Sequence, residues 1–350
     1  MPTDELYMRR CLDLAALGRG AVSPNPMVGA MIVHHDQIIG EGYHQKYGGP
    51  HAEVNAVNNV LARFDNAEEL LRQSTIYVSL EPCAHYGKTP PCADLIIKHR
   101  IPKVVVGCRD PFDQVNGKGI EKLLAAGIEV RVGVLEQECR ALNCRFFTRV
   151  QHRRPYIILK WAQTADGFFA PDDNRQFWIT GTESRKLVHR WRTEEDAVLV
   201  GKHTAAIDNP QLNVRYAQGR NPKRVVIDRR LELDAALHLF DQSVETLIFN
   251  ELKTDQVGKN KYISLEDFDN YVPQYIMYQL YLQDIQSVII EGGARTLASF
   301  IDAKLWDEAR IFTGEAGLSK GIPAPQINGT IINKQIVGRD VLEIYHNANF

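Results

Sequence analysis

PHAEVNAV (50–57) and EPCAHYGKTPPC (81–92) are the two stretches that decide how the first half of this 350-residue chain is read. They place one histidine, His51, and two cysteines, Cys83 and Cys92, on either side of a short strand-like run, TIYVSL (75–80). A catalytic zinc ion takes three protein ligands from His, Cys or carboxylate and keeps a fourth position open for water. One imidazole and two thiolates meet that count, and the thiolates cancel the charge of the ion. The metal lowers the pKa of its water to about 7, which makes a nucleophile at neutral pH. Glu53 lies two residues after His51, near the start of the same predicted helix. There it can take the water's proton and deliver it to a ring nitrogen and a departing amine.

His-x-Glu followed by Pro-Cys-x-x-Cys is the signature of zinc nucleobase deaminases, in which the glutamate stays outside the coordination shell. Here eight residues, rather than two, separate the cysteines. Cys92 still opens a predicted helix, CADLIIKHR (92–100), so two helix N-termini can each offer a ligand to one metal. The intervening loop, with His85, Lys88 and Thr89, is then free to shape a substrate pocket. The competing reading is a closed structural site with His85 as a fourth ligand. That would demand a cramped loop from Cys83 and leave Glu53 without a task.

Outward from this core, the pattern is layered. An amphipathic helix at the N-terminus is followed by a hairpin, MVGAMIVHHDQIIGEGYH (27–44), and the helix begun by His51. The strands TIYVSL (75–80), KVVVGC (103–108) and IEVRVGV (128–134) then alternate with helices over 92–100 and 119–127. Strands alternating with helices predict an α/β domain over 1–148. The basic, proline-ended RVQHRRP (149–155) reads as a linker, and a second alternating α/β domain is expected over 149–350. The poorly apolar stretch near 255–280 reads as a loop or insertion, and the last strand is expected near ARIFTG (309–314).

A formal net charge of -2 gives no global field for nucleic acid. The N-terminal helix lacks the uninterrupted apolar core of a secretory signal, and no run approaches a membrane span. A cytoplasmic enzyme with small-molecule partners, and neither nucleic acid nor membrane, is expected. Cys11, Cys108, Cys139 and Cys144 have no neighbouring ligand residues and read as plain packing.

In the second half, VIIEGGARTLASF (288–300) combines a buried strand, an acidic residue, paired glycines and a helix. Amides at such a helix start suit an anion, although turns of this kind also serve packing alone. A complete G-x-G-x-x-G is absent.

SPNPMVGA (23–30), GYHQKYGGPHAEVNA (42–56) and EPCAHYGKTPPCADLI (81–96) resemble the deaminase domain of the RibD family of bifunctional riboflavin-biosynthesis proteins. LKWAQTADGFFA (159–170), FWIT (177–180), IDNPQLNVR (207–215) and IIEGGARTLA (289–298) resemble its reductase domain. The resemblance implies a cytidine-deaminase-like three-layer domain followed by a dihydrofolate-reductase-like domain, and a homo-oligomer. It implies one catalytic zinc on His51, Cys83 and Cys92, with Glu53 as general acid/base. Asn25 falls where the family reads the pyrimidine edge, and His44, His85 and Lys88 become candidate sugar-phosphate contacts or plain polar loop residues. NADPH is the implied second cofactor, with Ala162, Trp178, Thr204 and Asp208 beside it and Gly293, Ala294, Arg295 and Thr296 around its phosphates. Gln176, where the family often has serine, joins Arg192, Leu212, Arg215 and Glu291 as implied substrate contacts. Lys160 and Glu291 are candidates for assisting sugar-ring opening and proton transfer, with a structural ion pair as the alternative for Lys160. The implied chemistry is hydrolytic deamination of a diaminopyrimidinone ribosylamine phosphate, then NADPH reduction of its ribosyl group to ribityl. Two other readings stay open: a nucleic-acid-editing deaminase with a fused binding domain, and a non-catalytic zinc-stabilised module.

Overall fold

The computed structural model describes residues 2–86, 90–112, 115–173, 175 and 177–348. Lys88 and Gln176 lie outside the described residues. The chain divides into two compact units, residues 1–153 and 154–350.

The first unit runs α1 (Pro2–Ala16), β1 (Gly29–His34), β2 (Gln37–Tyr43), α2 (Ala52–Arg63), α3 (Ala67–Leu71), β3 (Thr75–Leu80), α4 (Cys92–Lys98), β4 (Lys103–Cys108), α5 (Lys118–Ala125), β5 (Glu129–Val132), α6 (Glu136–Leu142) and α7 (Cys144–His152). Its five-stranded sheet has the order β2-β1-β3-β4-β5. β1 pairs antiparallel with β2 and β3, whereas β3, β4 and β5 are parallel.

The two-residue period of a strand sends successive side chains to opposite faces. Ile32, Ile76, Val78, Val104 and Val106 accordingly bury against α2, α3, α4 and α5. Met31, Val33, Tyr77 and Val105 bury on the other face with Tyr7 and Met8 of α1, Cys139 of α6 and Phe146 and Phe147 of α7. Burial on both faces explains the continuous apolar runs of these strands, and the unit is the three-layer sandwich that the motifs implied.

Residues 149–152, expected in a linker, continue α7. Phe146 and Phe147 anchor that helix to the sheet, and Arg140 lies over the Phe147 ring at 4.5 Å. The boundary expected at 148/149 therefore falls inside a helix. Arg154 begins the second unit in a buried two-pronged pair with Asp307, at 2.6 and 2.7 Å.

The second unit contains β6 (Tyr156–Gln163), β7 (Phe168–Ala170), α8 (Thr182–Glu194), β8 (Ala197–Gly201), α9 (Lys202–Asp208), β9 (Lys223–Ile227), β10 (Thr246–Asn250), β11 (Asp255–Val257), β12 (Asn260–Ser264), α10 (Val272–Leu282), β13 (Ser287–Ile290), α11 (Ala294–Asp302), β14 (Glu308–Thr313), β15 (Ile322–Pro323), β16 (Gly329–Val337) and β17 (Asp340–Asn347). A ten-stranded sheet runs β11-β12-β10-β9-β8-β13-β6-β14-β17-β16. From β12 to β14 its neighbours are parallel, and β11, β17 and β16 join antiparallel.

Two expectations are corrected here. Residues 255–282 form β11, β12 and α10 rather than a loop, and α10 buries Ile276, Met277 and Leu280. β16 and β17 follow what was expected to be the last strand. β16 is exposed over most of its length, so its sequence carries little apolar signal.

The seat of the first site depends on a close helix–strand contact. A Cβ built on Gly42 in β2 would lie 2.3 Å from the Ala56 nitrogen and 2.5 Å from the Ala52 oxygen, both backbone atoms of α2. Gly42→Ala must displace the helix that His51 leads into. Overpacking of this kind costs about 1–3 kcal/mol, or roughly 2–10 °C in the Tm of a unit this size. Scanning calorimetry should show that loss, and an unchanged Tm would contradict the packing.

Candidate active sites

His51 is the residue before α2, in extended backbone (φ -72, ψ 164). Cys83 follows β3, and Cys92 is the first residue of α4. The Cys92 amide donates to Cys83 Sγ at 3.3 Å, while His51 Nδ1 lies 3.3 Å from Cys92 Sγ and 3.7 Å from Cys83 Sγ. The three donor atoms all fall within 4.8 Å of one another. Glu53 is 3% exposed in the first turn of α2, and burial, opposed by the His51 charge, pushes its carboxyl up to about 7.

The neighbouring side chains take definite orientations. His44 is 3% exposed, and burial lowers its pKa, so its ring is uncharged near neutrality. Its Nδ1 lies 3.0 Å from the Pro50 carbonyl oxygen, which can only accept, so Nδ1 carries the proton. Nε2 must then accept from Asn25 Nδ2 at 3.2 Å, which leaves Asn25 Oδ1 as an acceptor. Both nitrogens of His44 are thus engaged within the protein, and the ring fixes the orientation of the Asn25 amide. His85 is half-buried against Phe112, with ring centroids 6.2 Å apart, and its buried Nδ1 has no partner among the described residues.

Sequence reasoning assigned no role to Glu81. Its buried carboxylate accepts four main-chain amides: Asp110 (3.3 Å) and Gly117 (3.0 Å) on Oε2, Gly119 (3.0 Å) and Ile120 (3.3 Å) on Oε1. It therefore ties the start of the Cys83 loop to the segment that carries Asp110. No residue pattern announces this, because the partners are backbone groups.

In the second unit a cavity of about 650 Å³ opens at the ends of β6, β8 and β13. Of the expected cofactor residues, Ala162, Trp178, Thr204, Asp208, Gly293 and Ala294 line it. Arg295 and Thr296 do not. Arg295 is exposed, and Thr296 packs over Gly201, where a Cβ would meet its Oγ1 at 2.3 Å. Gly292 has no room for a side chain either, since a Cβ would lie 2.6 Å from the Gly201 nitrogen. That close approach places the start of α11 beside β8.

Arg192, Leu212, Arg215, Lys160 and Glu291 line the same cavity. Arg192 grips Glu291 with Nε and Nη2 at 2.9 and 2.8 Å, and its Nη1 donates to the Asn213 carbonyl at 3.2 Å. Lys160 Nζ is 3.8 Å from Glu291 Oε2. Burial opposes the charge on Glu291, yet Arg192 and Lys160 outweigh it and hold the carboxyl at about 2. Burial also lowers the Lys160 pKa, against the pull of Glu291.

Comparison with known proteins agrees with both halves. Residues 1–108 match the cytidine and deoxycytidylate deaminase zinc-binding region, and residues 155–315 match the RibD C-terminal domain. The riboflavin biosynthesis protein RibD of Aquifex aeolicus is 40% identical over 91% of this chain and 89% of its own length. That of Escherichia coli K12 is 34% identical over 88% and 87%. The crystal structure of a diaminohydroxyphosphoribosylaminopyrimidine deaminase/5-amino-6-(5-phosphoribosylamino)uracil reductase from Thermotoga maritima superposes with a TM-score of 0.90 at 36% identity, covering 99% of both chains. Fold and sites together define a deaminase of the zinc-binding cytidine-deaminase type joined to a pyrimidine reductase. The chain belongs to the RibD family and is a bifunctional enzyme of riboflavin biosynthesis, hydrolase in one unit and oxidoreductase in the other.

The role of Glu81 can be tested by Glu81→Gln, which replaces one acceptor oxygen by an amide nitrogen and strands two main-chain donors. Each stranded donor costs about 1–3 kcal/mol. Hydrogen exchange at Gly117, Gly119 and Ile120 should quicken, and KM for the deaminase substrate should rise. Unchanged exchange at these amides would show that the carboxylate does not hold the segment.

Proposed function

We propose that the first unit deaminates 2,5-diamino-6-(5-phosphoribosylamino)pyrimidin-4(3H)-one and that the second reduces the resulting 5-amino-6-(5-phosphoribosylamino)uracil with NADPH. The observation that carries this reading is the convergence of His51, Cys83 and Cys92 beside the buried Glu53.

The donor set fits one zinc ion. Ligand bonds of about 2.0–2.3 Å give tetrahedral edges of roughly 3.3–3.8 Å, and the His51–sulfur separations are 3.3 and 3.7 Å. When bound, the ion lowers the pKa of a water toward about 7. Glu53 would take one proton of that water to the pyrimidine ring nitrogen, and then carry the second, from the hydroxyl added to the ring carbon, to the amine that leaves as ammonia. Asn25 Oδ1, oriented through His44, accepts from a ring N–H and so sets the edge that the pocket reads. His85 and Lys88 remain the candidates for the sugar phosphate.

In the second unit the cavity fits a dinucleotide in size and lining. Trp178 is 65% exposed and offers an aromatic face. Gly293 leaves a gap that a Cβ would fill, 3.2 Å from Thr204 Oγ1. The amides opening α11 suit the cofactor's phosphate, and bound NADPH supplies the hydride. Glu291, kept charged by Arg192, takes the proton from the exocyclic nitrogen as the sugar ring opens. Lys160 gives a proton to the ring oxygen, which leaves C1′ as an imine carbon ready for reduction. Arg192 acts here by positioning Glu291, and Arg215 is the proposed contact to the substrate phosphate. Gln176 and Leu212 complete the proposed substrate contacts.

A two-channel assay on the purified chain, following ammonia and NADPH together, tests the division of labour. Glu53→Gln should cut ammonia release by about 10²–10⁴-fold and leave reduction of the pre-deaminated pyrimidine intact. Glu291→Gln should do the reverse. Normal deamination by Glu53→Gln would remove that residue from the proton path, and loss of both activities in either variant would contradict separate sites.

A further inference from the structure

His189 belongs to none of the motifs, yet it lies in the wall of the second cavity, three residues before Arg192 on α8. That spacing puts the two side chains on one face of the helix. The imidazole is 5% exposed, and its Nδ1 accepts the Arg215 main-chain N–H at 3.0 Å. A main-chain N–H can only donate, so Nδ1 is the bare nitrogen and the ring proton sits on Nε2. Tyr216 closes edge-on against the ring, with centroids 4.8 Å apart at 80°. Among the described residues, nothing bonds Nε2.

Burial first, then the Arg192 and Arg215 charges, hold this imidazole down at about 4, so it is uncharged near neutrality. It lies within electrostatic reach of Arg192, Arg215, Glu291 and Lys160. Arg192 already has its nitrogens turned to Glu291 and Asn213. Arg215 is exposed, and its Nη1 is drawn to Gln211 and Asn213. Within electrostatic reach of both the exposed Arg215 and the Lys160–Glu291 pair, His189 thus supplies a neutral donor with no acceptor among the described residues. A second free cation at this point would compete with Arg215 for a phosphate group, whereas a neutral donor suits a hydroxyl oxygen.

We propose that His189 is a substrate-contacting residue of the reductase unit, its Nε2–H donating to a hydroxyl of the sugar segment between the phosphate and the carbon that is reduced. The proposal rests on the reading of the second unit as the reductase of the ribosylamino pyrimidine.

The test uses the full chain and steady-state NADPH oxidation with 5-amino-6-(5-phosphoribosylamino)uracil. His189→Asn keeps an acceptor for the Arg215 amide but ends short of the Nε2 position. His189→Gln carries an amide nitrogen out to that position. His189→Asn should raise KM for the pyrimidine about tenfold, the loss of one hydrogen bond, with KM for NADPH and the rate of ammonia release unchanged. His189→Gln should recover part of that loss. Against the wild type, either the 2′- or the 3′-deoxyribosyl analogue should bind about tenfold more weakly, and the same analogue should show no such penalty against His189→Asn. An unchanged pyrimidine KM in His189→Asn would overturn the proposal. So would a parallel rise in the NADPH KM, which would mark His189 as part of the wall alone. Failure of the wild-type chain to oxidise NADPH with this pyrimidine would instead overturn the reductase reading itself.

Discussion

Three donor atoms separated by up to 41 residues must meet within 4.8 Å, and much of the first unit follows from that requirement. α2 has to begin at the edge of the sheet with His51 in extended backbone, which brings its axis onto β2 so closely that only glycine fits at position 42. α4 has to start where the Cys92 amide can meet Cys83 Sγ. The Cys83 loop in turn is tied through Glu81 to the segment around residues 110–120. Helix starts gather unpaired N–H groups and positive potential, so a thiolate is electrostatically welcome there before any metal arrives. The donor set thus comes together although eight residues, rather than two, separate the cysteines.

The second unit solves a different problem, which is to keep charge in a largely buried place. A buried carboxylate is costly unless paired and hydrogen-bonded. The two-pronged grip of Arg192 on Glu291 meets that condition, with Lys160 at 3.8 Å as a looser second cation. The same arginine holds the Asn213 carbonyl, and fully buried Arg224 holds the Gln211 carbonyl at 2.8 Å. Two arginines therefore fix the loop that presents Arg215 and Leu212 to the cavity. The ion pairs shape the site as much as they populate it.

What could be read from the sequence follows from these physical differences. Strands buried on both faces, such as KVVVGC, are unbroken apolar runs, and His51, Glu53, Cys83 and Cys92 carry chemistry in their residue types. The strand at 329–337 escaped notice because it lies at the sheet edge with successive residues exposed, and so lacks an alternating apolar pattern. The region after 255 looked irregular because the outer hairpin, DQV and NKYIS, is polar, whereas the apolar content of α10, VPQYIMYQLYL, went unread. Arg192 read as a substrate contact, and a sequence does not show that its guanidinium is committed to Glu291 and Asn213. His44 looked like a loop histidine, although its two nitrogens are used within the protein. Glu81 and His189 stayed silent because their partners are backbone amides, which leave no mark in the order of side chains.

One imidazole and two thiolates, those of His51, Cys83 and Cys92, are proposed to hold a single open-coordinated metal. Metal analysis of the purified protein, combined with zinc K-edge absorption, tests that assignment directly. One zinc per chain is expected, with two sulfur ligands and the remainder nitrogen or oxygen, and loss of that zinc from Cys92→Ala. A chain purified without metal, a four-sulfur shell, or full zinc retention by Cys92→Ala would contradict it.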